Sequence, residues 1–137
     1  MQQGYFIIAT MWAIALSCLC FANDCSIDIS QKKQAETLLD EHSRTLKTMY
    51  DTLKDITDKD SAESSIPILS QLRKRAQTLE NEILKKKYKK VTIQHHLEKN
   101  REFILGILRE EERLEGKKFY DSKTFRALFI VEPLYSE

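Results

Sequence analysis

Residues 35–56 read AETLLDEHSRTLKTMYDTLKDI, and the spacing of the apolar positions in this stretch decides the fold. Ala35, Leu39, His42, Leu46, Met49, Leu53 and Ile56 follow one another at alternating steps of four and three. On an α-helix those steps keep side chains on one stripe, whereas a half-buried strand would need every second residue to be apolar. The unbroken series predicts a helix over residues 30–57 with a heptad seam. Leu38 and Tyr50 widen the stripe to the breadth that a globular bundle needs.

Downstream, the pattern stops at Asp58-Lys59-Asp60-Ser61, a polar turn in which Asp60 and Glu63 have the spacing of a capping box that opens a second helix. That helix carries Ala62, Ile66, Leu69, Leu72, Ala76, Leu79 and Ile83 on one stripe. Pro67 lacks a backbone donor and disfavours helical geometry at Ile66, so a kink there, or a start delayed to Ser64 or Ser65, is expected. Residues 85–90, KKKYKK, precede the β-branched Val91, Thr92 and Ile93, the weakest helical stretch, where a second break is expected. A third helix is predicted over residues 92–115, with Leu97, Ile104, Ile107, Leu108 and Leu114 inward, Gly106 a soft spot and Gly116 the C-cap. The run Arg109-Glu110-Glu111-Glu112-Arg113 reads as a solvated face. Asp121 or Ser122 can cap a short helix over residues 122–129, and Phe119, Tyr120, Phe125 and Phe129 make this tail part of the core.

Upstream, residues 1–22 hold none of the 22 Lys+Arg and 21 Asp+Glu of the 137-residue chain. Their apolar run YFIIATMWAIALSCLCFA, residues 5–22, is shorter than the roughly 20 residues that span a bilayer comfortably, and it ends in small residues. It reads as a signal peptide cleaved after Ala22, with secretion or a periplasmic location as the consequence. Residues 1–4 lack Lys and Arg, which keeps an uncleaved membrane anchor open, and Ala15-Leu16-Ser17-Cys18 loosely resembles a lipidation site at Cys18. Cleavage after Ala22 would leave Cys25 as the sole cysteine, able to form an intermolecular disulfide but not to staple its own chain.

Residues 23–137 are thus too charged for a membrane-buried domain and long enough for one modest core. A net charge of +1 excludes a histone-like habit, and 3 Gly with 2 Pro exclude collagen-like or Gly/Pro-rich disordered chains. Helices of 22 to 28 residues would be about 33 to 42 Å long and mutually matched. The expected fold is all-α: an up-down-up three-helix bundle, antiparallel and coiled-coil-like, with a short C-terminal helix. The rival geometry fuses the second and third helices into one rod that needs a partner chain. Residues 71–101 hold ten basic and three acidic side chains, whereas residues 28–63 hold six and nine, so charge favours folding the middle helix back.

The heptad helix, the turn DKDSAESSIPIL at residues 58–69 and the closing segment KKFYDSKTF at residues 117–125 together resemble short exported helical proteins of bacteria with no established function. The resemblance covers residues 30–129 and rests on Asp60-Ser61-Ala62, Pro67 and Phe119-Tyr120-Asp121-Ser122. It implies export and helical architecture, and it transfers no site.

Little in the chain speaks for catalysis. There is no Gly-x-Ser-x-Gly, no Cys/His arrangement and no phosphate-binding glycine loop, so no enzyme activity and no cofactor are expected. Asp51 and Asp55 share a helix face, as carboxylates in a charged helical chain often do by chance. His95 and His96 point about 100° apart on a helix, and His42 would sit roughly 12 Å from the height of His96 if parallel helices start level, so His42, His95, His96 and Glu98 predict no metal site. The strongest functional signal is basic: Lys85, Lys86, Lys87, Lys89 and Lys90 around Tyr88, with Arg73, Lys74 and Arg75 earlier in the same helix, form a candidate anion-binding surface. Lipid headgroups or an acidic polysaccharide are its expected ligands, since export and the lack of a base-reading motif disfavour nucleic acid. The chain as a whole is expected to work by contact, as a binding or structural module whose helix faces meet a protein partner or a second copy, with the lysine tract as the alternative binding surface or simply a solvated hinge between helices.

Overall fold

The computed structural model describes residues 29–130, with side chains from residue 37 onward. The signal segment, Cys18 and Cys25 lie outside the described residues. Within them every regular element is helical: α1 Ile29–Lys54, α2 Lys59–Lys85, α3 Lys90–Lys99, α4 Arg101–Gly116, a 3-10 turn Lys118–Asp121 and α5 Lys123–Ala127. None of these helices is long and apolar enough to cross a membrane.

The seam read from the sequence is the inner face of α1. Leu46, Met49, Leu53 and Ile56 are buried against Ala62, Leu69 and Ala76 of α2, Ile107 and Leu114 of α4, and Phe125 and Phe129. Toward the other end of α1, Leu38 and Leu39 join Leu79, Ile83, Tyr88 and Ile93 in a second apolar cluster. Gly106 lets α1 and α4 approach closely, because a Cβ there would lie 2.5 Å from Cε2 of Tyr50.

The start of α2 differs from expectation. Asp58, not Asp60, is the N-cap: its extended backbone lets Oδ1 accept the Ser61 N–H at 2.7 Å, and Ser61 Oγ accepts the Asp58 N–H at 3.0 Å. Ser61 therefore completes the capping box in place of Glu63, because its short hydroxyl reaches back to the cap without a long side chain to order. Pro67 neither delays nor divides the helix, which runs from Lys59 to Lys85. The cap and the burial of Ala62, Ser65 and Leu69 fix the turns around it, and the hydroxyls of Ser64 and Ser65 donate to the carbonyls of Ser61 and Ala62.

The break after α2 falls in residues 86–89, within the lysine tract, and Val91, Thr92 and Ile93 begin α3 instead of interrupting it. Lys87 takes the left-handed conformation, φ 49°, and Tyr88 turns inward. Burying one aromatic ring there outweighs the helical preference of the lysines beside it. The single third helix of the sequence reading is two helices meeting at Asn100, where φ −100° and ψ 4° bend the chain. The Asn100 side-chain amide donates to the His96 carbonyl at 2.8 Å, so it competes with the backbone ladder at the point where the helix turns.

At the far end Gly116 closes α4 without a left-handed residue, and Lys117 is its C-cap. The left-handed backbone comes just afterwards, at Lys118, Phe119, Tyr120 and Asp121, φ 52° to 58°, with no glycine among them. Aromatic packing holds this turn, with Phe119 stacked on Phe129 at 5.2 Å and edge-on to Phe125 at 6.2 Å. Arg113 ties it to α1: Nη2 donates to the carbonyls of Leu53 (3.0 Å) and Ile56 (2.9 Å), and Nη1 to the Tyr120 hydroxyl (3.2 Å). One guanidinium thus caps the carbonyl of Leu53, which also accepts the Ile56 N–H at 3.3 Å, and that of Ile56 just past the end of α1, where an anchored cation also suits the helix electrostatically.

Candidate functional site

The sequence reading kept His42 and His96 apart by assuming that the helices start level. They do not. The loop after α2 meets α1 at Leu38 and Leu39, about 14 Å along α1 from its first residue. That offset carries α3 up to His42, and His42 Nδ1 lies 2.9 Å from His96 Nε2. Both rings are buried, at 1% and 6% exposure.

Two further buried side chains extend the pair. Asn100 Nδ2 lies 3.3 Å from His96 Nδ1, and Glu80 Oε1 of α2 lies 3.5 Å from His42 Nε2. One pattern of protons satisfies the row: Asn100 donates to His96 Nδ1, His96 Nε2–H donates to His42 Nδ1, and His42 Nε2–H points at Glu80. Both imidazoles are then neutral. The last contact is too long to close, and His42 Nε2 and Glu80 Oε1 are the buried side-chain atoms left without a hydrogen-bond partner among the described residues. Burial, the neighbouring His42 and Lys99 hold the His96 ring down at about 4, against a smaller opposing pull from Asp40. Among the described residues no three of His, Cys, Asp and Glu converge to hold a metal ion. His95 and Glu98 are exposed, Glu98 against Arg101 at 3.5 Å, and Asp51 pairs with Lys47 on the outer face of α1.

The basic candidate divides. Arg75 is committed to Glu41 of α1 through its Nε at 2.9 Å and its Nη2. The Arg73 guanidinium lies over the Phe129 ring, 5.2 Å from its centroid. Only Lys74 of that trio stands exposed and unpaired, and it is 11 residues, about 16 Å along α2, from Lys85. Lys85, Lys86, Lys87 and Lys89 are exposed, Lys90 is half-buried, and none of the five forms an ion pair among the described residues. Tyr88 belongs to the core instead of the surface, and it pins the loop so that the lysines around it project outward. Flanking the tract, Leu84 and Val91 are exposed at 40% and 69%. The tip between α2 and α3 is therefore cationic with two bare apolar side chains.

Burial also reverses one charge reading. Glu111, placed by sequence on a solvated face, turns inward, and desolvation raises its carboxyl to about 7 although Arg73 pulls the other way. The buried row of His42, His96, Asn100 and Glu80 had one sequence signal, a histidine on an apolar seam, without the helix offset needed to find its partner. No family model matches the chain, and no curated protein and no solved structure is similar to it.

Proposed function

We propose that the protein is an exported, non-catalytic binding module that docks on anionic membrane surfaces through the tip between α2 and α3. In this reading residues 1–22 are a signal removed after Ala22, and residues 23–137 fold as an up-down-up bundle whose third leg is α3 and α4. Pairings along α1 support that arrangement. Leu53 meets Arg113 and His42 meets His96 as both segments ascend, whereas α2, which begins at Lys59 beside the end of α1 at Lys54, has returned to Glu41 by Arg75.

The docking reading rests on one feature of the tip, which is that unpaired lysines surround bare Leu84 and Val91. Each lysine near an anionic bilayer contributes about 1 kcal/mol, and apolar side chains gain by entering the headgroup region. A polysaccharide would use the lysines and leave Leu84 and Val91 in water, so the composition favours lipid. The test is co-sedimentation of residues 23–137 with phosphatidylglycerol–phosphatidylcholine vesicles, set beside retention on heparin resin. Salt-sensitive vesicle binding should be abolished by changing Lys85, Lys86, Lys87, Lys89 and Lys90 together to Gln, and weakened severalfold by Leu84→Ser with Val91→Ser. Heparin retention without vesicle binding would replace lipid by polysaccharide, and vesicle binding unchanged by the five Gln substitutions would end the proposal.

A further inference from the structure

The contact between His42 Nδ1 and His96 Nε2, 2.9 Å long, is a hydrogen bond with room for one proton. A second proton on His42 Nδ1 sets N–H against the His96 Nε2–H in a place closed to water, and the rings must part. The other nitrogen of His96 offers no outlet. It faces Asn100 Nδ2, which also donates to the His96 carbonyl at the bend between α3 and α4, so turning the amide to accept a proton would give up that bond. At the opposite end His42 Nε2 and Glu80 Oε1 face each other unbonded at 3.5 Å, so the row is held closed by the one bond in its middle.

Among the described residues α3 is otherwise tied to the fold by two apolar side chains and one surface ion pair, Leu97 packing against the large core as well as the smaller cluster. It carries Ile93 in the second apolar cluster, with Leu97 packed beside it, and Lys99 reaches Asp40 of α1 at 3.5 Å on the exposed surface. The groups facing the histidine pair are Asp40 from α1, Glu80 from α2, and His95 and Lys99 from α3 itself. Among the described residues α4 sends no titratable side chain into the row, its first residue Arg101 pairing outward with Glu98.

We infer that the His42–His96 bond is a proton-operated latch: a second proton on the pair frees α3 and the loop before it from α1, and the opened tip binds an anionic membrane more strongly. This rests on the docking reading above and adds its regulation. Opening uncovers Leu38, Leu39, Leu79, Ile83, Tyr88 and Ile93, the apolar cluster next to the lysines, and adds the imidazolium charge to theirs. A ring that titrates at 6.5 when free and about 4 when latched multiplies the open fraction by up to about thirtyfold between about pH 7.5 and about pH 5.

Two measurements separate the latch from the docking surface. The first is hydrogen–deuterium exchange of residues 86–99 without vesicles, corrected for intrinsic rates. Opening should rise at least about tenfold on acidification in the wild-type chain, while residues 46–56 stay protected. The second is vesicle binding at both pH values for the wild type, His96→Gln and His42→Gln, since the first removes the titrating ring and the second the ring nitrogen it is set against. Affinity should rise about tenfold for the wild type and less than about twofold for the variants, with binding near pH 7.5 kept in all three. Exchange that does not respond to pH in the wild type overturns the latch even if no variant folds, and so does a His96→Gln chain whose affinity rises as the wild type's does. Loss of vesicle binding at both pH values overturns the docking reading and leaves the exchange result to judge the latch.

Discussion

The two ends of α1 are packed on different principles. Its C-terminal half lies in a core of Leu46, Met49, Leu53 and Ile56 closed by Phe125 and Phe129, and the polar groups exposed by the end of the helix are answered by Arg113. Toward the N-terminal end, a smaller apolar cluster is interleaved with four buried polar side chains, two of whose atoms go unanswered. An apolar core is indifferent to pH, whereas a buried polar row is stable only in one protonation state. The difference puts the more rigid part of the molecule at one end and the acid-sensitive part, next to the basic tip, at the other, with Glu111 at the rigid end responding to pH in the opposite sense.

The largest test of that contrast is Arg113→Ala. It removes the donors to Leu53, Ile56 and Tyr120 and the pair with Glu110, leaving two carbonyls at the end of α1 without their cap. A loss of about 3 to 4 kcal/mol is expected in chemical unfolding. Arg113→Lys should recover less than half, since one ammonium cannot span two carbonyls and a phenol. A loss under about 1 kcal/mol would mean that the rigid end does not depend on its clamp.

Next comes pH. His96 titrates below its ordinary value, so its contribution is complete above 6.5 and lost as pH falls through about 4. Glu111 titrates above its ordinary value, so its contribution is complete below 4.5 and lost as pH rises through about 7. Each spans about 3 kcal/mol, and between about 4.5 and 6.5 they oppose each other, giving the wild type a nearly flat profile. Glu111→Gln removes one slope, so stability should then fall steadily on acidification by about 2 kcal/mol, as thermal melts across this range would register. A profile still flat in the variant would deny the responsive end its acid sensitivity.

The smallest effect concerns the left-handed turn. Asp121 is exposed at φ 58°, and Asp121→Gly should add about 0.5 to 1 kcal/mol and a few degrees of melting temperature. A decrease would show that the Asp121 side chain is worth more than the strain it carries.

What the sequence made legible was whatever repeats along one chain segment. The four-and-three spacing over residues 35–56 specified α1 and its inner face, and the aromatic tail declared itself as core by composition. Pairings between segments were not legible, because they depend on where the helices are offset. His42 and His96 meet because Tyr88 is buried against Leu38 and Leu39, and nothing local to either histidine encodes that. The same ring explains why the lysine tract bends where the β-branched residues were expected to. Glu111 was misplaced because a run of charges reads as solvated whichever member turns inward.

The left-handed run at Lys118, Phe119, Tyr120 and Asp121 also sets an order of events. An unfolded chain almost never visits four consecutive residues of that hand, each costing about 1 to 2 kcal/mol outside glycine, and only the stacked phenylalanines and the Arg113 clamp repay it. Those partners must already stand in place, so the aromatic lid closes after α1, α2 and α4 have assembled.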